Sequence, residues 1–470
     1  MLWPRWIWLR ALGFIFLSAF YSLAFQITGL IGPNGILPAR DYLRGFSLAT
    51  LWSAPTVLWL ANGNAALLTL VAAGALASVL LICNRAPRLC IAVALVCFLS
   101  FVAAAQEFSS YQSDGMLLEA GFISLFLAPR GWKPGLGTDD PPSKLSVFLL
   151  LWEWFRIYFE SGVVKLLSHD VQWRTLTAMD HYYENSPLPS FLGWYVQQEL
   201  PHWFHAASVV VVFVLELLLV FFAFLPKPFR RLCFFVVTPF QILIIVTGNY
   251  AFLNYIVLFL GVFLLDDELF RRQNPVPAKK PSLLERAVLG ILLFVTITLA
   301  PGLQRFVPQP LLYPAIALEP FRIANRYGLF AVMTENRFEI EFQGSNDGVH
   351  YTAYPFRYKP QDPKEAPGIF APYQPRFEWN LWFASLADWQ RDPWVLRAAE
   401  KLLQGSPEVL RLFRSDPFHG KPPRYVRTVL WQYWFTTPAE KRRTGAWWVR
   451  EEKGEYAPEL ELRDGEVQAR

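Results

Sequence analysis

Apolar runs recur along roughly the first three hundred residues, broken by polar stretches short enough to be loops. Nine runs predict membrane helices: 8–27, 65–83, 89–106, 116–128, 145–167, 207–225, 232–247, 251–265 and 284–300. Several fall short of the ~20 residues that a straight span needs, which predicts tilted or re-entrant pieces. A tenth stretch, 46–61, contains Pro55 and Trp59 and reads as interfacial. Beyond Pro301 the period changes. "RFEIEFQ" alternates Phe338, Ile340 and Phe342 with Arg337, Glu339, Glu341 and Gln343, as in a half-buried strand. "GSNDG" turns the chain into "VHYTAYPFRY", which predicts a hairpin. "RFEWNLWFASL" and "PWVLRAAEKLLQ" predict helices, and "RYVRTVLWQYWFTT" and "AWWVRE" predict strands.

The expected fold class is therefore a multi-pass all-α membrane bundle of about nine spans, followed by a soluble, mainly β (α+β) domain. The expected division is 1–303 for the membrane part, with exoplasmic loops at about 28–64 and 168–206, and 304–470 for the soluble part.

Composition agrees. The chain is 54% hydrophobic and 17% charged, against about 25% charged in a typical soluble chain. The formal net charge of +5 is scattered, which argues against nucleic-acid binding. The four cysteines, Cys83, Cys90, Cys97 and Cys233, lie in or beside apolar runs and form no CxxC, so neither a disulfide framework nor thiol redox chemistry is expected. The first apolar run reads as an anchor rather than a cleaved signal.

Cations set the expected topology. With Arg5 and Arg10 in the cytoplasm, the loops holding Arg85 and Arg88, Arg130 and Lys133, Lys227, Arg230 and Arg231, and Arg271, Arg272, Lys279 and Lys280 all fall inside. The loop 32–44, the segment 180–195 and the C-terminal domain then share the exoplasmic side.

Candidate chemistry concentrates in "LSVFLLLWEWFRIYFESGVVKLL". Glu153, Arg156 and Glu160 are spaced three and four apart and share one helix face, with Lys165 further along. Charges at membrane depth face a bundle interior and are paired or functional. One reading is an ion-pair stripe that fixes packing. The sharper one is a polar cavity with Lys165 as a base. Glu119 and Glu216 are further intramembrane acids expected to find partners on other helices. Past this span Asp170, Trp173 and Arg174 cluster with the segment in which Asp180, His181, Tyr182, Tyr183, Glu184 and Trp194 form an expected exoplasmic surface, with two prolines in "SPLP". The spacing of His169, Asp170, Asp180 and His181 is not that of a metal site, and no metal is expected. His202 and His205 are expected at the interface beside Trp203. There is no G-x-S-x-G, P-loop or zinc signature. The C-terminal "WNLWF", "WQYWF" and "AWW" are read as core.

The strings "LIGPNGILPA", "YQSDGMLLEAGFISLFLAP", "FRIYFESGVVKL", "QWRTLTAMDHYYENSPLPSFLGWY", "LPHWFH", "TGNYAFLNYIVL", "NRYGLFAVMTENRFEI", "FRYKPQDP", "APYQPRFEWNLWFA", "DPFHGKPPRYVR" and "WWVREEKGEYAPEL" resemble the lipase maturation factor family over nearly the whole chain. The resemblance implies a membrane-anchored, chaperone-like factor that assists folding and assembly of secreted lipases. It implies that the C-terminal domain contacts clients, that membrane lipids are the other partners, and that no cofactor is needed. In animals such proteins sit in the endoplasmic reticulum membrane with that domain in the lumen. The chain has no sequon and no cysteine after Cys233, which fits a bacterial inner-membrane relative with a periplasmic domain. "FESGVVKLL" is also similar to one helix of the vitamin K-dependent γ-carboxylase. That similarity implies the alternative, a membrane enzyme acting on a quinol or lipid with Lys165 as base and Glu160 or Arg156 tuning it.

Overall fold

The structure is a computed structural model of the 470-residue chain. It describes all residues except 46, 271–275 and 464. Phe46, in the tenth apolar stretch, and the loop cations Arg271 and Arg272, expected in the cytoplasm, lie outside the described residues.

The helices are α1 (Leu2–Ile31), α2 (Asn64–Ile82), α3 (Pro87–Ala104), α4 (Gln112–Leu127), α5 (Lys144–Leu167), α6 (Phe191–Glu199), α7 (His202–Leu217), α8 (Lys227–Thr247), α9 (Leu253–Leu260) and α10 (Leu283–Thr298). They are followed by α11 (Gln309–Leu318), α12 (Arg376–Ala384) and α13 (Trp394–Leu403). Among the described residues, five helical stretches are long and apolar enough to cross a membrane: Leu2–Ile31, Asn64–Ile82, Pro87–Ala104, His202–Phe224 and Lys227–Thr247. The other expected spans are helical too, but α4 and α10 have 16 residues each and α9 has 8. α5 has the length, at 24 residues, and carries the charged stripe. The interfacial stretch holds only a six-residue helix, Leu48–Ser53, and one turn, Val57–Trp59. Pro55 between them prevents a continuous helix.

Local chemistry accounts for several boundaries. The first turn of α1 is capped by Asp267, whose carboxylate accepts from the Leu2 and Trp3 amides at 2.9 Å each. Ser143 caps α5 through the Ser146 amide. Pro239 sits inside α8 and removes one ladder hydrogen bond. At this end of the bundle Asp140 receives Arg88 at 3.3 Å and Lys279 at 3.2 Å, while Arg231 meets Asp266 at 2.9 Å.

The C-terminal region is built on one antiparallel sheet, order β2-β1-β3-β4-β5. The strands are β1 (Arg337–Ser345), β2 (Thr352–Ala353), β3 (Tyr425–Phe435), β4 (Trp448–Arg463) and β5 (Glu466–Ala469). Two expectations are corrected. β1 is not half-buried: Arg337, Glu339 and Glu341 are buried along with Ile340 and Phe342. The polar face closes over an ionic cluster in which Glu339 meets Arg337 and, at 2.8 Å, Lys359. The hairpin partner shrinks to two paired residues; the Tyr354 amide still donates to the Phe342 carbonyl at 2.9 Å, and Pro355 after it has no amide to continue the ladder. Of the C-terminal tryptophans read as core, Trp379, Trp382 and Trp448 are buried, while Trp431, Trp434 and Trp447 are half-buried.

Candidate functional site

α5 positions two separate ionic clusters. On one face Arg156 pairs with Glu119 of α4 and stands 3.9 Å from Glu160. All three are buried. This cluster is closed by the irregular segment that precedes β1. The Asn325 carbonyl accepts from Arg156 at 2.6 Å. The Asn325 backbone amide and side-chain amide donate to Glu119 at 2.9 and 3.0 Å. The Tyr327 amide donates to Glu160 at 2.7 Å, and its hydroxyl to Glu119 at 2.9 Å. Glu153 lies beside the same hydroxyl, 3.4 Å away. Gly115 makes this approach feasible: a Cβ there would stand 2.6 Å from the Asn325 side-chain oxygen.

Lys165 does not belong to that cluster. Its ammonium donates to both oxygens of Glu216 on α7, at 2.9 and 2.8 Å, and lies over the Trp173 ring at 5.2 Å. Thus the expected stripe of four charges splits, and the carboxylate opposite Lys165 is Glu216 rather than Glu160. The reason is helical geometry. Lys165 is five residues past Glu160, well over one turn, so its side chain swings toward α7.

The segment 180–195 was expected to be an exoplasmic surface. Asp180 and His181 keep partial or full exposure, but Tyr183, Glu184 and Trp194 are buried. Their cover is the C-terminal sheet. The Arg337 guanidinium donates to the carbonyls of Glu184, Ser186 and Pro187 at 2.8, 2.5 and 3.2 Å. The Glu184 carboxylate accepts from the Phe435 amide at 3.0 Å, and the Trp194 indole donates to the Thr436 carbonyl at 3.0 Å. His181 stays outside, and its contact with the Glu184 carboxylate holds its pKa above the usual imidazole value. Tyr182 packs edge-on to Tyr183 and Phe330.

The remaining candidates scatter. His169 meets Arg174, and Asp170 caps the Met333 amide at 2.9 Å. His202 pairs with Asp180 at 3.0 Å. His205 is buried against Tyr183 rather than interfacial.

Sequence reasoning missed several residues. Asp114, in α4, and Arg376, in α12, form a fully buried two-pronged pair at 2.7 and 2.8 Å. Their signal was available: an aspartate beside an apolar run and an arginine before a tryptophan-rich helix. Asn325 and Tyr327 carry no such signal. Their role combines main-chain groups with one side-chain donor each, and a lone asparagine and tyrosine outside any periodic run give no pattern to read.

The N-terminal 3–272 match the family model "Lipase maturation factor transmembrane domain", and 323–458 match "Lipase maturation factor C-terminal domain". Lipase maturation factor 2 of Gallus gallus is 33% identical over 585 residues, covering 98% of this chain and 82% of that protein. Lipase maturation factor 1 of Homo sapiens is 32% identical over 513 residues, covering 98% and 88%. Lipase maturation factor 1 of Mus musculus is 31% identical over 510 residues, covering 98% and 87%. No solved structure matches the chain. The two family matches and the full-length similarity carry one conclusion: the chain belongs to the lipase maturation factor family.

Proposed function

We propose that this protein is a membrane-anchored maturation factor that helps secreted lipases fold and assemble. The single observation that carries this reading is the similarity to lipase maturation factors over 98% of the chain. The carboxylase-type alternative gains no support from those comparisons. Lys165, its expected base, is held by both oxygens of Glu216.

In this reading all nine helical stretches cross or enter the membrane, including α4 and α5, whose charges are paired with each other, with Glu216 of α7 and with Arg376 of α12, and hydrogen-bonded by the 322–334 segment. The C-terminal region lies on the exoplasmic side and receives the client. Two things support that sidedness: the cation-rich loops gather around Asp140 and Asp266, and the segment 180–195 packs on the sheet at the other end. In a bacterium this corresponds to the periplasm, and in an animal cell to the lumen of the endoplasmic reticulum. The division at about residue 303 fits the gap between the two family matches.

The test is removal of the gene in its own host, with a secreted lipase measured for amount and specific activity. Lower specific activity at unchanged synthesis, restored by the intact chain, is expected. Unchanged specific activity sinks the proposal.

A further inference from the structure

A cavity of about 530 Å³ lies among α5, α7, α8 and α9, within the roughly 300–1,000 Å³ typical of small-molecule sites. Its rim includes Trp203, Ala207 and Val211 of α7 and Leu243 of α8, all exposed. Exposed apolar side chains on two membrane-crossing helices face acyl chains, so the mouth opens sideways into the bilayer rather than into water. The walls are apolar and aromatic, and Tyr182 and Phe330 are among the residues that close it toward the C-terminal region.

The polar groups inside are few and specific. Lys165 and Glu216 are paired and cancel in charge. The Gln241 side chain accepts from the Tyr158 hydroxyl at 2.8 Å. Asn254, 5% exposed, lines the cavity, and its side-chain amide nitrogen has no partner among the described residues. An unmet buried donor costs about 1–3 kcal/mol. Such a group is a place for an acceptor.

From these features we infer that the cavity binds one uncharged acylglycerol, such as a diacylglycerol. An acyl chain fills the apolar walls. An ester carbonyl accepts from the Asn254 amide. The free glycerol hydroxyl meets the Lys165–Glu216 pair, which can both donate and accept. A charged headgroup is disfavoured, because the pair is already balanced and a further charge at this depth is left uncompensated. The site is independent of the client reading above, since it concerns the bundle alone.

The experiment uses the full chain in lipid nanodiscs with a photoactivatable diacylglycerol. Saturable labelling of α7 and α8 is expected, with displacement by unlabelled diacylglycerol and not by phosphatidylglycerol or a quinone. Asn254→Ala is expected to weaken labelling about fivefold, the worth of one hydrogen bond, without lowering the melting midpoint, because that nitrogen has no partner to lose. Ala207→Phe narrows the mouth from an exposed position and is expected to abolish labelling in a folded protein. Non-saturable labelling, equal displacement by phosphatidylglycerol or the quinone, or full labelling of Ala207→Phe overturns the proposal.

Discussion

Arg376 of α12 reaches back across 262 positions to hold Asp114 of α4, both of them fully buried. The guanidinium also donates to the Phe108 carbonyl at 2.8 Å and lies 4.9 Å from the Phe101 ring centre. A two-pronged pair of this kind ties the C-terminal region to the bundle at fixed geometry. Removing one partner leaves a buried charge without compensation, which costs about 3–5 kcal/mol. Arg376→Met is therefore expected to lower the melting midpoint of the purified protein and to expose the C-terminal region to protease. The double change Arg376→Met with Asp114→Leu is expected to recover much of that loss. A double variant no more stable than the single one refutes the account.

The segment from Arg322 to Thr334 behaves as part of the bundle even though it precedes the first strand. It supplies partners for Glu119, Arg156 and Glu160, for Asp170 through the Met333 amide and for Trp173 through the Phe330 carbonyl. A chain ended after residue 321 loses them all but keeps α11. A chain ended after residue 334 keeps them. Both lose the Arg376 pair, so their difference isolates the segment. The longer one is expected to accumulate in membranes at several times the level of the shorter, read by quantitative blotting. Equal levels would show that the ionic cluster is satisfied without Asn325 and Tyr327.

These relationships also mark how far the sequence could be read. The positions of the nine expected apolar helices, of α12 and α13, of β1 and β3 and of the start of β4 follow from hydrophobic period, which burial of a face imposes on any chain, whereas α6, α11 and the rest of β4 were not expected. Glu216 was expected to need a partner on another helix and has one in Lys165. The split between the Arg156 and Lys165 clusters was not legible, because it depends on which neighbour each face of α5 meets. The burial of Arg337, Glu339 and Glu341 was not legible either. Alternation in "RFEIEFQ" normally means one wet face, and here Lys359 and the carbonyls of 184–187 replace the water. The segment 180–195 looked like surface for the same reason: its tyrosines and tryptophan are amphipathic, and only the sheet above decides whether they are covered.

Arg337 is the residue that seats that segment on the sheet. Its guanidinium satisfies three carbonyls in 184–187. Arg337→Ala leaves those carbonyls and Glu339 without the guanidinium, a loss of about 3–5 kcal/mol for a buried charged group. Amide hydrogen exchange is expected to speed up in 180–195 and at Phe435, whose amide donates to Glu184. Exchange unchanged in those peptides would mean that the remaining contacts, Trp194 with Thr436, Glu184 with Phe435 and Asn185 with Thr334, hold the segment without Arg337.

Glu378 predicts the pH dependence of the C-terminal region. Burial raises its pKa from 4.5 to about 7, although the amides of Arg357, Tyr358 and Lys359 donate to it at 2.7–2.8 Å. A carboxyl whose pKa is raised by folding holds its proton more tightly in the folded chain than in the unfolded one. Its contribution is therefore fully present below about 4.5 and is lost as pH rises toward 7, beyond which the folded chain carries a buried carboxylate. At about 1.4 kcal/mol per pKa unit, the shift is worth about 3 kcal/mol. The melting midpoint is expected to fall between pH 5 and 7.5 in the wild type, and to fall less in Glu378→Gln, which cannot ionise. The comparison between the two proteins removes the histidines and other shared titrations. Parallel pH profiles would mean that the three amides hold Glu378 ionised throughout, and that burial does not dominate at this position.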